Sequence, residues 1–277
     1  MKLGVTTFAT DQSMDIVALA RAAEERGFHS LYVPEHTHIP TSRRTPSPTG
    51  DAVLAEEYKR TLDPFVALAA AAAVTTRLEI GTGVCLVAQR DPIVLAKEVA
   101  TLDLISNGRF MFGIGFGWNR EEMQSHGVAF QERRALVREK MLAMQRLWHE
   151  DEASFAGDYV RIQESWAWPK PVRTPWPPIL IGGAPGPKLF EHIAEYGDAW
   201  IPIGGAGVVK ALPALREAVE KAGRDPSQVE VIPFGSIPDE SKLEYYASLG
   251  VREVVARLPS APEADVLALL DRYAKLV

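Results

Sequence analysis

Apolar positions in this chain cluster into short continuous runs, separated by longer segments with helical spacing, and the two kinds alternate almost from end to end. The pattern is clearest from Leu78 to Phe116, where LEIGTGVCLV and RFMFGIGF flank the helix-like DPIVLAKEVATLDLISNG. Neither run alternates polar with apolar, so both are expected to be buried on two faces, as strands of a helix-covered parallel sheet are. Strand-like runs at Leu3, Leu31, Leu78, Arg109, Ile179, Ala199, Val229 and Glu253 make eight, each with a helical segment after it. The first helix is expected from Met14 to Arg26, with Ile16, Leu19, Ala20 and Ala23 on one face and Gly27 as its stop. Others run from Asp63 to Val74, from Asp91-Pro92 to Asn107-Gly108, and from about Gln131 to Trp148, and SFAGDYVRI reads as a small hairpin.

Eight βα units without a composition break predict an α/β fold of one domain over residues 1–277, a single (β/α)8 TIM barrel. The same alternation also permits an open, doubly wound sheet; the count of units favours closure. Two long segments interrupt the spacing, Thr37 to Thr61 and Ser154 to Pro178, and both are expected as insertion loops over the C-terminal face. Arg43, Arg44, Lys59 and Arg60 in the first either meet an anion or are solvated charge. Glycines gather where the apolar runs end, Gly81 and Gly83 in one, Gly113, Gly115 and Gly117 in another. A small molecule lying against the backbone there would need residues without a Cβ.

Composition narrows the chemistry. A net charge of −6 lends no support to nucleic-acid or membrane binding, and no apolar run reaches membrane-spanning length. The lone cysteine, Cys85, excludes an internal disulfide and suits a reducing cytoplasm, and the N-terminal MKLGVTTFATDQSMD lacks the apolar core of a signal peptide. The six histidines show no HExxH or other ligand spacing, so no metal is expected, and no GxSxG elbow occurs. GIGFGWN at Gly113 has the spacing GxGxG and is not a dinucleotide fingerprint. Such a shortage of reactive side chains fits an enzyme whose cofactor supplies the chemistry. Gly182 and Gly183 end the ILIGG run before Ala184-Pro185-Gly186-Pro187, Lys188 and a helix, an arrangement suited to a phosphate, although Pro185 and Pro187 remove two donors and a plain turn is the alternative. Glu35 and His36, at the end of the second strand, are the catalytic candidates, against the plain alternative of a buried histidine bonded to backbone.

Several motifs in order resemble the luciferase-like monooxygenase superfamily, in particular its branch of oxidoreductases that use the deazaflavin coenzyme F420. They are VPEHTHIP at Val33, LDPFVALAAAAAVTTRLEIGTGV from Leu62, RDPIVLAKEVATLDLISNGRFMFGIGFGW from Arg90, ERRALVREKMLAMQRLW, PPILIGG and EYGDAWIPIG. The C-terminal third departs most from the family pattern. The resemblance implies a barrel that binds F420, with flavin mononucleotide and oxygen as the alternative, and transfers hydride to or from a small organic substrate. It implies that His36 lies against the ring; that Gly83 and Val84 form a bulge with a non-prolyl cis peptide behind it; and that Gly117, Trp118, Asn119 and Glu122 lie near the ring and its ribityl chain. Trp118 would be a pocket wall or core packing, and His38 would face the pocket or solvent. A homodimer through helices near Phe65 to Val74 and Ile93 to Ile105 is implied as well.

Overall fold

The computed structural model describes residues 1–277 except Pro48, Thr49, Asp51, Ala52 and Ala206, so part of the Thr37 to Thr61 segment lies outside the described residues. The strands are β1 (Lys2–Thr6), β2 (Ser30–Val33), β3 (Glu79–Thr82), β4 (Phe110–Ile114), β5 (Ala153–Ala156), β6 (Arg161–Ser165), β7 (Ile179–Gly182), β8 (Ala199–Ile201), β9 (Glu230–Val231), β10 (Phe234–Ser236) and β11 (Glu253–Arg257). The helices are α1 (Ile16–Glu25), α2 (Pro64–Ala73), α3 (Pro92–Ile105), α4 (Arg120–Ser125), α5 (Arg133–His149), α6 (Pro187–Tyr196), α7 (Val208–Lys221), α8 (Glu240–Ser248) and α9 (Glu263–Tyr273). Local chemistry starts several of them. Asp15, Asp63 and Asp91 cap α1, α2 and α3 through side-chain oxygens that accept first-turn N–H groups, and proline occupies the first turn of α2 and α3, where its missing N–H costs nothing.

Nine strands form one curled sheet in the order β10-β11-β1-β2-β3-β4-β7-β8-β9, paired in parallel throughout. The first and last members of that order are consecutive in the chain, because Pro233 breaks the expected VEVIPFG strand into β9 and β10. The Ile232 and Phe234 N–H groups donate to Trp200 and Pro202 at 2.9 Å each, while the Pro233 carbonyl accepts from Val255 at 2.9 Å. One segment therefore bonds to both flanks of the sheet. Inside the curl lies a small apolar cluster of Tyr32, Leu180, Ala199, Ile201, Ile232, Phe234 and Val255, with Val84 and Met111 against it. A larger core separates the sheet from its helices. Strands with apolar neighbours on both sides account for the unbroken apolar runs in the sequence.

The hairpin expected at SFAGDYVRI is the antiparallel pair β5 and β6. Its surroundings correct one expectation. The Ser154 to Pro178 segment follows a helix and leads into the start of β7, and its proline-rich part is tied to the N-terminal end of the strands. There the Val172 and Arg173 N–H groups donate to Asp103 at 2.7 and 3.0 Å, and Arg173 also bonds the Gly108 carbonyl and Glu79. Of the two segments, it is the described part of Thr37 to Thr61, which follows β2, that stands at the C-terminal face. No helix among the described residues is long and apolar enough to cross a membrane.

Candidate active site

The C-terminal ends of β2, β3, β4 and β7, neighbours in the sheet, bring the candidate residues to one face. Beyond β2, Pro34-Glu35-His36 turns out of the sheet, and Thr61 donates to the His36 carbonyl at 2.7 Å. Beyond β4, Gly117 adopts φ +75°, a conformation that favours glycine, and Asn119 caps the short helix α4 by accepting the Glu122 N–H. That cap turns Glu122 inward. Its Oε2 lies 2.8 Å from His36 Nδ1, with the two side chains 1% and 6% exposed. A carboxylate at Nδ1 accepts that N–H, so in the neutral imidazole the lone pair stands at Nε2.

Aromatic rings complete the enclosure. Trp118 meets the His36 ring edge-on at 5.7 Å, Tyr58 lies 5.4 Å from His36 and 6.1 Å from Trp118, and Phe8 packs on Tyr58 at 4.7 Å. Trp118 is thus a wall around His36. Tyr58 was missed in the sequence, where only its charged neighbours drew notice; no local pattern marks it. Glu121 draws the loop down by accepting from Thr45 and the Arg44 N–H, and these bonds, with the Thr45 hydroxyl foremost, hold its carboxyl down to about 2.

The loop arginines and lysine divide. Arg43 stacks over Trp118 at 5.8 Å, but Lys59 pairs with Glu56 at 2.8 Å, and Arg60 pairs with Glu56 and Asp11 at 3.0 and 2.8 Å. Solvated ion pairs describe Lys59 and Arg60. His38 stands exposed at the rim, its ring 5.4 Å from that of His126, with Thr37 between their nitrogens.

Glu35 points away from His36. Its oxygens accept from the Leu86 N–H and Arg90 Nε, both at 2.7 Å, and Arg90 continues to Asp63 and Glu98 at 2.7 and 2.9 Å. Buried Lys140 donates to the Ala88 and Arg90 carbonyls at 2.8 and 2.5 Å, and burial pulls its ammonium down to about 8. Together these charges clamp the segment from Leu86 to Arg90. Removing one partner of such a buried pair costs about 3–5 kcal/mol. Glu35→Ala is therefore expected to lower the unfolding free energy by that order, as read in urea titration.

The Gly83–Val84 peptide bond is cis. The strand-end glycines, however, make room for the chain itself. A Cβ on Gly115 would stand 2.5 Å from Val84 Cγ2, one on Gly182 3.0 Å from Val84 Cγ1, and one on Gly113 1.9 Å from the Thr82 carbonyl oxygen. Val84 therefore fills the space beside Gly115 and Gly182, between β3, β4 and β7.

Beyond β7, the N–H groups of Ala184, Gly186 and Lys188 have no protein partner among the described residues, while Trp200 Nε1 donates to the Gly183 carbonyl at 3.0 Å. Lys188 is exposed in the first turn of α6. Asn119 Nδ2 and Glu122 Oε1 are likewise buried without partners. The face thus offers unpaired backbone donors at one strand end and a buried imidazole–carboxylate pair at another.

Comparison with known proteins gives this face a context. The chain is 43% identical to the uncharacterized protein Rv0953c of Mycobacterium tuberculosis over 278 residues, covering 99% of this chain and 98% of that one. It is 31% identical to an F420-dependent glucose-6-phosphate dehydrogenase of Amycolatopsis mediterranei over 224 residues, 78% of this chain and 62% of the relative. In fold it is similar to an F420-dependent secondary alcohol dehydrogenase in complex with an F420-acetone adduct, at TM-score 0.80 and 19% identity, over 100% of this chain and 98% of that structure. With the model of the luciferase-like monooxygenases matching residues 1–256, the chain belongs to that family.

Proposed function

We propose that this chain is an F420-dependent oxidoreductase that transfers hydride to or from a small organic substrate at the C-terminal ends of its strands. The single observation that carries the reading is the buried His36–Glu122 pair, walled by Trp118 and Tyr58. F420-dependent relatives supply the cofactor class. Flavin mononucleotide with oxygen is the alternative within the family. We also read β9 and β10 as two parts of one strand, which gives the eight units of a (β/α)8 barrel.

The residues present fit a deazaflavin. Three unpaired N–H groups and the Lys188 side chain suit its phosphodiester, and the unpartnered Asn119 Nδ2 suits an acceptor oxygen. Gly182, Gly183, Ala184 and Lys188 would hold the phosphate; Gly83, Val84, Gly117, Trp118, Asn119 and Glu122 would surround the ring. When bound, the coenzyme supplies a two-electron hydride donor or acceptor. His36 Nε2 takes a proton from a substrate hydroxyl during oxidation, or returns one to a carbonyl oxygen during reduction. Glu122 orients the imidazole and stabilises its protonated form. Trp118 and Tyr58 exclude water from the reacting centre. Glu35 positions the Leu86 to Arg90 segment instead of touching substrate.

Calorimetric titration with F420 and, in parallel, with flavin mononucleotide tests the reading. Micromolar or tighter binding of F420 alone is expected; preference for flavin mononucleotide would move the chain to the oxygen-using branch, and binding of neither would sink the proposal. Gly183→Asp is expected to weaken F420 binding at least about tenfold by placing negative charge among the phosphate donors. Equal affinity would put the phosphate elsewhere.

We propose further that the chain is a homodimer. Val66 on α2 and Ile93, Val94, Leu104 and Ile105 on α3 are exposed apolar side chains on two helices that pack together. Ile105→Glu should shift the molar mass measured by light scattering from that of two chains to that of one, and a monomeric parent protein would defeat the assignment.

A further inference from the structure

At the opposite end of the sheet, three residues far apart in the chain converge. Glu79 is the first residue of β3, Glu253 is the first of β11, and His29 immediately precedes β2. One ring nitrogen of His29 and one oxygen of each carboxylate lie within 4.8 Å of one another. Glu253 is buried, and Ser30 donates to its Oε1. Gly4 on the intervening strand β1 admits this approach, since a Cβ there would stand 2.0 Å from Ser30 Oγ and 2.8 Å from Glu253 Oε1.

Two polar groups in this nest lack hydrogen bonds. His29 Nε2 stands 3.3 Å from Glu79 Oε2, yet it is a buried nitrogen without a hydrogen-bond partner. Tyr32, completely buried inside the curl, has an unpartnered hydroxyl, and its phenol is pushed well up by burial and by the charges of Glu253 and Glu79 that it faces. His29 and Glu79 thus meet as an ion pair at a separation that two ligands of one ion also have. Around zinc, ligand atoms at about 2.0–2.2 Å in tetrahedral array stand about 3.3–3.5 Å apart, which is the spacing of His29 Nε2 and Glu79 Oε2. Arg173 holds the other oxygen of Glu79 at 3.3 Å, leaving Oε2 for the ion, and Lys2 is the further cation near these carboxylates.

We propose that His29, Glu79 and Glu253 bind a divalent cation of the zinc type at the N-terminal end of the sheet, with the Tyr32 hydroxyl facing the fourth position. One nitrogen and two carboxylate oxygens are a donor set for a borderline ion, whereas calcium or magnesium would require more oxygen ligands. The ion ties β2, β3 and β11 together across β1. It is structural, being at the end of the sheet away from His36, and it stands independently of the proposed redox function.

The test is a zinc titration of the full chain after chelator treatment and dialysis, followed by calorimetry and by metal analysis of the desalted protein. One ion per chain, bound with a dissociation constant of about 1 µM or tighter, is expected. His29→Ala, a partly exposed position outside the strands, and Glu253→Gln should each weaken binding at least about tenfold, and cobalt should give the absorption of a tetrahedral site in the parent protein only. If Glu253→Gln fails to fold, His29→Ala and Glu79→Gln carry the test. Absence of stoichiometric binding overturns the proposal. So does binding that survives His29→Ala, or binding lost instead in His126→Ala, which would place the ion at the rim beside His38.

Discussion

His36→Ala is expected to slow hydride transfer by about 10²–10⁴-fold, the usual contribution of a positioned general acid or base. F420 affinity should stay within about tenfold of the parent, because contacts to the ring are shared among several residues. The imidazole lies within the Trp118 and Tyr58 walls and is held by Glu122, so its removal deletes the proposed proton acceptor while leaving the walls in place. Stopped-flow measurement of deazaflavin absorbance with a turned-over substrate separates the step from binding. Glu122→Gln supplies the internal check. It keeps an acceptor at Nδ1 but removes the charge that stabilises the imidazolium, so a smaller loss of rate with similar affinity is expected. Unchanged hydride transfer in His36→Ala would remove this residue from the mechanism and leave the pair a structural contact.

Gly113→Ala is expected to produce the largest loss of stability, about 3 kcal/mol or more in urea unfolding, or failure to fold. Its Cβ would stand 1.9 Å from the Thr82 carbonyl oxygen and 3.1 Å from the Thr82 carbonyl carbon. Both are backbone atoms of the neighbouring strand, which cannot swing aside as a flexible side chain can. The same place is already tightly bonded, since the Gly113 carbonyl accepts from Thr82 Oγ1 at 2.6 Å and from the Cys85 N–H at 2.8 Å. Displacing β3 from β4 would therefore also disturb Val84 and Cys85 behind the candidate site. Gly127→Ala is the control without a clash: unlike Gly113, that glycine adopts a positive φ, and nothing lies within 4 Å of its Cβ position. A loss there of about 1 kcal/mol would measure the conformational term alone. A Gly113→Ala protein as stable as its parent would show that β3 and β4 separate at little cost.

Much of the architecture was legible before any coordinates. Unbroken apolar runs marked strands buried on both faces; Asp-Pro pairs marked the starts of α2 and α3; the position of His36 just past a strand marked the candidate face. The VPEH and GIGFGW motifs carried the family, and with it the expectation of a cis bond at Gly83–Val84, which the structure contains. The count of strands was less legible, because Pro233 leaves one residue unable to donate and divides a run that reads continuously. The strand-end glycines were read as space for a ligand. In the fold Gly115 and Gly182 yield to Val84, and Gly113 yields to Thr82.

Local spacing by itself thus determined which segments become strands and helices, and the ordered motifs identified the family through resemblance. Tertiary structure decided which side chains meet. His36 and Glu122 are 86 positions apart, and they touch because β3 lies between β2 and β4 in the sheet and the Asn119 cap turns α4 inward. Glu35, adjacent to His36 in sequence, faces the other way into the Arg90 clamp, since successive residues leaving a strand point to opposite sides. His29, Glu79 and Glu253 come together only through the order in which β11, β1, β2 and β3 are paired. Periodicity reports the environment of a residue a few positions at a time; partners separated by whole βα units are set by sheet order and register, which no local pattern encodes.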